Sequence, residues 1–291
     1  MRSKEIAFAA LMALVFPGCM SWTRGWEPMP SDEASGPDIT VEEADRRFAA
    51  ADDVSDLERV IEAYTANLTE ASSPLHLHTR LAEAHVLYGA AYANSRAEKR
   101  RHYELGLRHA ERAMATNREF RERVESDASV AEASRSLGEA EMEAMLIWVT
   151  GVSYYFKEGL SIVGKVMSFR TISETREVLD RLMELDPEFE NGAVPFSLAI
   201  HYIARPPWAG RDIPRARELF DQAVSISPDS LLIRWGRAKY LHARTGDERA
   251  FREDLEWVVE RDPREAATPY RWNVYFQRQA EQMLNELEER G

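Results

Sequence analysis

Cys19 is the residue whose type and position best suit covalent chemistry. It is the only cysteine, and it follows an apolar run of 11 residues, Ile6–Phe16, preceded by the basic Arg2 and Lys4. Such a run is shorter than the roughly 20 apolar residues that span a bilayer as a helix. An apolar run that is followed by a small residue and then a cysteine is typical of a bacterial lipoprotein cleavage site. We therefore expect residues 1–18 to be a signal peptide and Cys19 to be lipidated; cleavage nearby or an uncleaved anchor are the alternatives.

A second segment has the spacing of a nucleotide-binding loop. Gly159–Val166 reads G-L-S-I-V-G-K-V, close to the phosphate-binding pattern G-x-x-x-x-G-K-[ST]. Val166 replaces the Ser or Thr that would hold Mg²⁺, and the residues before the segment have a helical pattern, not that of a strand. We predict a helix whose small residues lie at a close helix crossing.

Metal-binding and catalytic patterns are weak in this chain. His76 and His78 are two residues apart and point to different faces of a helix, whereas His78 and His85 can share a face, but without a carboxylate at ligand spacing. No G-x-S-x-G motif occurs, and a lone cysteine excludes cysteine-based zinc sites. We predict no catalytic residue, no metal and no cofactor. The alternative is a helical hydrolase with two buried acids facing each other across a cleft.

Charge excludes one large class of partners. The net charge is −13, and nucleic-acid binding needs clustered positive charge. Charged residues of both signs make up 30% of the chain, which argues against disorder. The basic cluster Arg96, Lys99, Arg100 and Arg101 is interpreted as a solvated start of a helix, with a partner contact as the alternative.

The chain from Thr40 onward has the periodicity of helices. Apolar residues recur at i, i+3, i+4 and i+7, and Gly and Pro lie mostly between such segments. We predict an all-α fold with about a dozen helices in a single domain over residues 40–291. The preceding residues 19–39 contain three prolines and are predicted to be a flexible tether.

Three prolines mark an internal repeat. Pro187, Pro228 and Pro263 each follow a helical segment, at spacings of 41 and 35 residues. Residues five, eight and twelve positions before each proline fall on one helical face, as in the second helix of a tetratricopeptide repeat, whose period is about 34 residues. Before Pro228 these positions are Ala223, Phe220 and Ala216. We therefore predict a tetratricopeptide-like superhelix of helix pairs, with the last helix, from Pro269 to Glu289, capping its open end.

Several of these motifs together resemble the TatT family, the tetratricopeptide lipoproteins associated with tripartite ATP-independent periplasmic (TRAP) transporters. The resemblance covers roughly residues 41–284. Its most specific part is the turn from Arg205 to Asp212, with Pro206, Pro207 and Gly210, and it departs from the family at Arg211, where a second glycine is expected. The other matching residues are Met145–Trp148, Leu185–Pro187, Gly192, Ala193, His201–Ala204, Ala216, Phe220 and Ala223.

The resemblance implies a periplasmic protein. We expect it to be anchored to the outer membrane and to contact the membrane only through its lipid. The resemblance also implies a homotrimer, a cavity or pore in each protomer, docking to the solute-binding protein of a TRAP system, and a small hydrophobic organic acid as ligand. The strongly apolar segment Val130–Met167 fits such a cavity. Its candidate lining residues are Trp148, Val152, Tyr154 and Tyr155, although these side chains would equally suit a packed core.

A second function class fits the same repeat pattern. A general tetratricopeptide scaffold lipoprotein would serve protein–protein interactions in the cell envelope. It would bind a protein segment on a concave helical surface and would have no continuous internal channel.

Overall fold

The computed structural model describes residues 20–27, 39–68 and 73–289. The predicted signal peptide and Cys19 lie outside the described residues. Within the described ranges the chain forms fourteen helices and no strand. This confirms the predicted all-α class.

The helices follow one another with short connections. The first seven helices, α1–α7, span Val41–Ala50, Val54–Asn67, Pro74–Ala91, Arg96–Met114, Arg118–Glu125, Val130–Ala133 and Met142–Tyr154. The next seven, α8–α14, span Ile162–Met167, Phe169–Leu185, Phe189–Ala204, Ile213–Ile226, Leu231–Gly236, Glu248–Glu260 and Tyr270–Glu288. Two helices continue as π-helix: α7 through Tyr155–Gly159, and α12 through Arg237–His242 into a last turn at Ala243–Thr245.

Local sequence explains where many helices begin. The side chains of Asp53, Ser95, Asp212 and Asp247 each accept a hydrogen bond from a backbone N–H in the first turn of α2, α4, α11 and α13. These N–H groups have no partner within the helix, so a capping side chain stabilises the helix start by about 1 kcal/mol.

The three repeat prolines mark helix ends as predicted. Helices α9, α11 and α13 end at Leu185, Ile226 and Glu260, shortly before Pro187, Pro228 and Pro263. The residues at the repeat positions face the interior: Thr175, Leu179, Leu182, Ala216, Phe220, Ala223, Leu255 and Val258 are buried, and Phe251 is partly buried. The tetratricopeptide-like superhelix itself stays a prediction.

The centre of the fold is the pair α3 and α4, crossed by α7. The two helices approach closely at Gly106, where an added Cβ would lie 2.8 Å from Cγ2 of Val86 and 3.1 Å from the carbonyl oxygen of Ala82. Helix α7 packs on both of them and on α9, while α10 pairs with α11 and α13 with α14. Glycine therefore sets the spacing at the main helix crossing.

The last helix joins the two ends of the chain. Helix α14 packs on α12 and α13 and also on α1. The Tyr270 hydroxyl donates to Asp52 at 2.9 Å, and Arg278 donates to the backbone carbonyl of Asp52 at 3.0 Å. Helix α14 therefore closes the helices on one another, instead of covering the open end of a stack as predicted.

Residues 20–27 lie on the helical body, contrary to their prediction as part of a flexible tether. The buried carboxylate of Glu111 in α4 accepts hydrogen bonds from Trp22 Nε1, Arg24 Nη1 and the Gly25 backbone N–H at 3.1, 2.9 and 2.8 Å. Burial raises the pKa of Glu111, although Arg24 and these donors oppose the rise. The rest of the predicted tether up to residue 38 lies outside the described ranges.

The segment with the phosphate-loop spacing is not a phosphate loop. It runs from the end of the π-helix through the cap residue Ser161, whose hydroxyl accepts from the Gly164 N–H at 3.2 Å, into α8. The prediction of a close helix crossing is wrong for most of the segment. Ile162, Val163 and Val166 are exposed, and only Gly164 of helix α8 is buried. In the described part of the chain, no helix is both long and apolar enough for a bilayer.

Four histidines meet between α3 and α4. Nδ1 of His78 lies 3.0 Å from Nδ1 of His109, and Nδ1 of His85 lies 3.2 Å from Nδ1 of His102. Burial lowers the pKa of His78 and His102 to about 4 and that of His85 to about 3, with neighbouring positive charge adding to the effect. Burial lowers the pKa of His109 still more strongly. All four imidazoles are therefore neutral in the folded protein at neutral pH.

We expect the free energy of unfolding to fall between pH 7 and pH 5. In the unfolded chain the histidines take up protons below pH 6.5, whereas in the folded chain they do not, so the stabilisation present above that pH is lost as the pH falls. Each unit of pKa difference corresponds to about 1.4 kcal/mol. Urea unfolding measures this decrease in the free energy of unfolding. For the His85→Asn/His109→Asn variant, the decrease between pH 7 and pH 5 should be smaller than for the wild type by about 2 kcal/mol or more. Equal pH dependence in both proteins would contradict the burial argument.

We expect Glu111→Gln to loosen residues 20–27. The amide has one acceptor oxygen and no charge, so the Arg24 ion pair and at least one hydrogen bond are lost, at a cost of about 1–3 kcal/mol. Hydrogen exchange at the Gly25 amide should accelerate by roughly 5- to 150-fold, the equivalent of that loss. The matched control is Glu122→Gln on α5, whose side chain is 59% exposed. Unchanged Gly25 protection in the Glu111 variant would disprove the role of this carboxylate.

Candidate functional site

A large cavity lies between α7 on one side and α9, α10, α12 and α14 on the other. Its volume is about 820 Å³, within the range of about 300–1,000 Å³ that is usual for small-molecule sites. Most of the wall is apolar; the larger apolar side chains are Leu146, Val149, Phe156, Phe169, Ile172, Phe196, Ile200, Trp235, Trp272 and Phe276.

Helix α7 contributes to this wall because it is apolar on two faces. Leu146, Thr150, Ser153 and Tyr154 face the cavity; their spacing of four, three and one places them on one side of a helix. The Thr150 and Ser153 hydroxyls donate to backbone carbonyls four residues earlier, at 2.8 Å each. These small polar residues therefore leave room in the cavity without leaving their own hydrogen bonds unmade.

Of the four residues predicted to line a cavity, the structure places one in the wall. Tyr154 lines the cavity. Trp148, Val152 and Tyr155 are buried on the opposite face of the helix, toward α3 and α4. Trp148 Nε1 donates to Glu111 at 3.3 Å, and the Tyr155 hydroxyl donates to Glu104 at 2.7 Å. These three side chains belong to the packed interior on the far side of α7.

The Pro-Pro turn forms one mouth of the cavity. Pro207–Ala209 make a single 3-10 turn, and Gly210 follows with φ of 88°, a conformation that favours glycine. Asp212 then caps α11. This geometry brings Arg205, Pro206 and Trp208 into the cavity wall beside Val166 of α8. Since Trp208 and Val166 are exposed, the cavity reaches the surface here.

The other end of the cavity is ionic. Glu83 accepts from Arg271 Nε at 2.9 Å and from Trp272 Nε1 at 3.0 Å, and it pairs with Arg80 at 2.9 Å. Arg80 also pairs with Glu143. The guanidinium of Arg80 thus separates the two acids, which is not the face-to-face acid pair that the hydrolase alternative requires. The pKa of Glu143 is raised, chiefly by burial.

Two π-helical stretches place Lys157 in the cavity wall, with Lys239 close behind it. Lys157, at the end of α7, lines the cavity and donates to the Tyr240 hydroxyl at 3.3 Å. Its ammonium lies 3.5 Å from Glu158, which also binds Lys99 at 2.6 Å. Lys239, next to Tyr240, has its pKa lowered to about 7 by burial and by the charge of Lys157. Two ammonium groups, those of Lys157 and Lys99, therefore share the Glu158 carboxylate, whereas Lys239 donates to Gln279 at 3.2 Å. π-Helical turns occur frequently at functional sites.

Two buried polar atoms of cavity-lining residues have no partner within the described chain. They are Nε2 of His201 and Nε1 of Trp235. Burial lowers the pKa of His201 to about 3, with Arg205 and Arg176 adding to the effect. The Thr175 hydroxyl donates to the Ile172 carbonyl at 2.7 Å, so it can only accept from Nδ1 of His201 at 3.5 Å. This favours a proton on Nδ1 and leaves Nε2 as an acceptor, while Trp235 Nε1 is a donor.

Sequence patterns missed most of these residues. Lys157, His201, Trp235 and Arg271 lie on four different helices, and no spacing in the sequence joins them. One signal was present: Lys157 and Glu158 interrupt a strongly apolar helix, and charges in such a place need a specific partner.

One acidic group has the spacing of metal ligands. Asp52, Asp53 and Asp56, among the described residues, bring three carboxylates within 4.8 Å of one another. Asp53 caps α2, Asp56 pairs with Arg59 at 3.2 Å, and Asp52 accepts from Tyr270. Each carboxylate therefore has a structural role without an ion.

Comparison with known proteins places this cavity in a family context. No match to a curated protein reaches significance. The family model described as TRAP transporter T-component matches residues 61–290. That range is most of the chain and includes every helix that lines the cavity. The chain therefore belongs to the TRAP transporter T-component family.

Proposed function

We propose that this protein is a periplasmic, lipid-anchored accessory component of a TRAP-type solute uptake system, and that its cavity binds a small organic acid with an apolar body. The observation that supports the proposal is the cavity itself, because it combines an apolar wall with the ammonium group of Lys157. The family supports the association with TRAP transport.

The apolar wall favours the body of such a ligand. Burying apolar surface contributes about 25 cal/mol per Å², and aromatic rings from α9, α10, α12 and α14 supply much of the wall. A strongly polar solute would lose its hydration here without gaining enough hydrogen bonds. This supports a hydrophobic ligand over a sugar or a polar amino acid.

The cations favour an acidic group at one end of the ligand. Lys157 lines the cavity, and its positive charge lowers the pKa of the neighbouring Lys239, so a ligand carboxylate at Lys157 would reduce the repulsion between these two ammonium groups. Such charge-assisted hydrogen bonds contribute about 1.5–3 kcal/mol each.

Passage through the protein is a further part of the proposal. Glu190 lines the cavity near Arg80 and Arg271 and is exposed, and Trp208 lines its other mouth and is exposed as well. Two exposed lining residues in different surroundings support a pore over a closed pocket. A docked solute-binding protein would then exchange ligand with one mouth. We also propose a homotrimer anchored in the outer membrane through Cys19.

We expect octanoate to bind more tightly than 1-octanol, which matches its chain but lacks the charge. Lys157→Met should lower the affinity for octanoate by about tenfold, equivalent to 1.4 kcal/mol. The affinity for 1-octanol should stay within a factor of two. Lys157→Arg keeps the charge and is the matched control. Isothermal titration calorimetry of all three proteins measures these constants. Equal loss for both ligands, or tighter 1-octanol binding, would contradict an ammonium-bound carboxylate.

We expect octanoate affinity to fall as the pH rises through 7. Lys239 is partly deprotonated near that pH, and an anion stabilises its charged form, so binding should take up protons. Calorimetry in two buffers of different ionisation enthalpy measures that uptake. In Lys239→Met, proton uptake at pH 7 should largely disappear. Uptake that persists in this variant would assign it to another group.

We expect the solute-binding protein of the same TRAP system to bind this chain in solution. Size-exclusion chromatography with light scattering gives both the complex and the oligomeric state of the chain alone. A trimer that binds one solute-binding protein per protomer is the expected result. Binding of extended peptides, with no binding of the solute-binding protein, would favour the scaffold alternative.

A further inference from the structure

The exposed apolar side chains of this protein are concentrated in one place. Ile162 and Trp208 are 84% and 80% exposed, and Val163, Val166 and Met167 are exposed as well. In the described residues, the one other exposed large hydrophobic side chain is Val54. We call Ile162, Val163, Val166, Met167 and Trp208 the apolar patch. Exposed apolar clusters of this kind mark interaction sites.

The apolar patch surrounds one mouth of the cavity. Val166 and Trp208 belong both to the patch and to the cavity wall, together with Phe169. The Trp208 ring lies 5.6 Å from the Phe169 ring, which ties the Pro-Pro turn to the start of α9. Whatever covers the patch therefore also faces the mouth.

The amino-terminal segment leads directly to this patch. The Met20 backbone N–H donates to the Ser168 hydroxyl at 2.7 Å, and Ser168 follows Met167 of the patch. Met20 is buried, and the Glu111 hydrogen bonds hold the residues after it. Since consecutive Cα atoms are about 3.8 Å apart, a group attached to the preceding residue, Cys19, begins within a few ångströms of the end of α8.

From this juxtaposition we infer that the apolar patch rests on the bilayer that holds the Cys19 lipid, so that the Trp208 mouth of the cavity opens at the membrane surface. The inference rests on acylation of Cys19 and does not depend on which ligand the cavity binds. A lipid surface is the partner that fits the patch, because Met20, the residue after the predicted anchor, binds Ser168 at the edge of the patch.

The composition of the patch suits a lipid interface. Tryptophan, valine and isoleucine side chains bury favourably at the boundary of headgroups and acyl chains. Lys165 lies within α8, and Arg170, whose side chain is 88% exposed, lies in the first turn of α9. Such long side chains reach to headgroup phosphates while their stems cover apolar surface. An anchor plus a second apolar contact fixes orientation as well as attachment. An apolar acid dissolved in the membrane would then reach the cavity without crossing water.

The test uses the full lipidated chain in vesicles of phosphatidylethanolamine and phosphatidylglycerol. Acylation blocks the Cys19 thiol, so Val166→Cys supplies a single free thiol for an environment-sensitive fluorophore. The matched control is Arg249→Cys on α13, where the native side chain is 88% exposed. Nitroxide-labelled lipids should quench the label at position 166 at least threefold more than the label at position 249.

Several results would overturn the inference. Quenching could be equal at the two positions, or mass spectrometry could find Cys19 without lipid. A third such result is a label at position 166 that self-association or the solute-binding protein shields from solvent but vesicles do not. In a second variant, Ile162→Asp with the same label, quenching should fall at least twofold. Octanoate binding by the unlabelled Ile162→Asp protein, which keeps Val166, should stay within a factor of two of wild type because Ile162 is outside the cavity wall. Failure of the membrane contact and failure of the proposed function are therefore distinguishable.

Discussion

Helix α7 is buried on two sides, and the positions of the other helices follow from this. On one face, Trp148, Val152 and Tyr155 pack against α3 and α4. On the other face, Leu146, Ser153 and Tyr154 line the cavity. A close-packed interior normally excludes such empty volume, because missing contacts cost stability. The cavity persists because α9, α10, α12 and α14 are held apart from α7 by contacts at its edges.

Buried carboxylates fix several of the elements around α7. Glu83 joins α3 to α14 through Arg271 and Trp272, and Glu111 joins α4 to residues 20–27 and to Trp148 of α7. A buried charge is costly unless it is fully paired, so each of these groups fixes the position of its partners. The ionic end, the lysine group and the apolar mouth of the cavity are thus set by elements far apart in the chain.

The sequence was most informative where structure is local. Cap residues such as Asp212 and prolines such as Pro228 act within one turn, so helix boundaries could be predicted from them. Periodicity identified α7 as buried but did not distinguish its two apolar faces, which is why Trp148 was assigned to a cavity. Lys157 and Tyr240 are 83 residues apart, and only the closure of the fold brings them together. The docked Trp22 was missed because prolines follow it in the sequence.

If the cavity beside α7 holds an apolar acid with its carboxylate at Lys157, crystals grown with 8-bromooctanoate should show the acid in place. Bromine has an anomalous signal that locates the ligand tail independently of the protein. We expect one bromine peak per protomer between α7 and α10, with carboxylate density within hydrogen-bond distance of the Lys157 ammonium. A bromine peak only on the outer surface, or an empty cavity at saturating ligand, would contradict the claim.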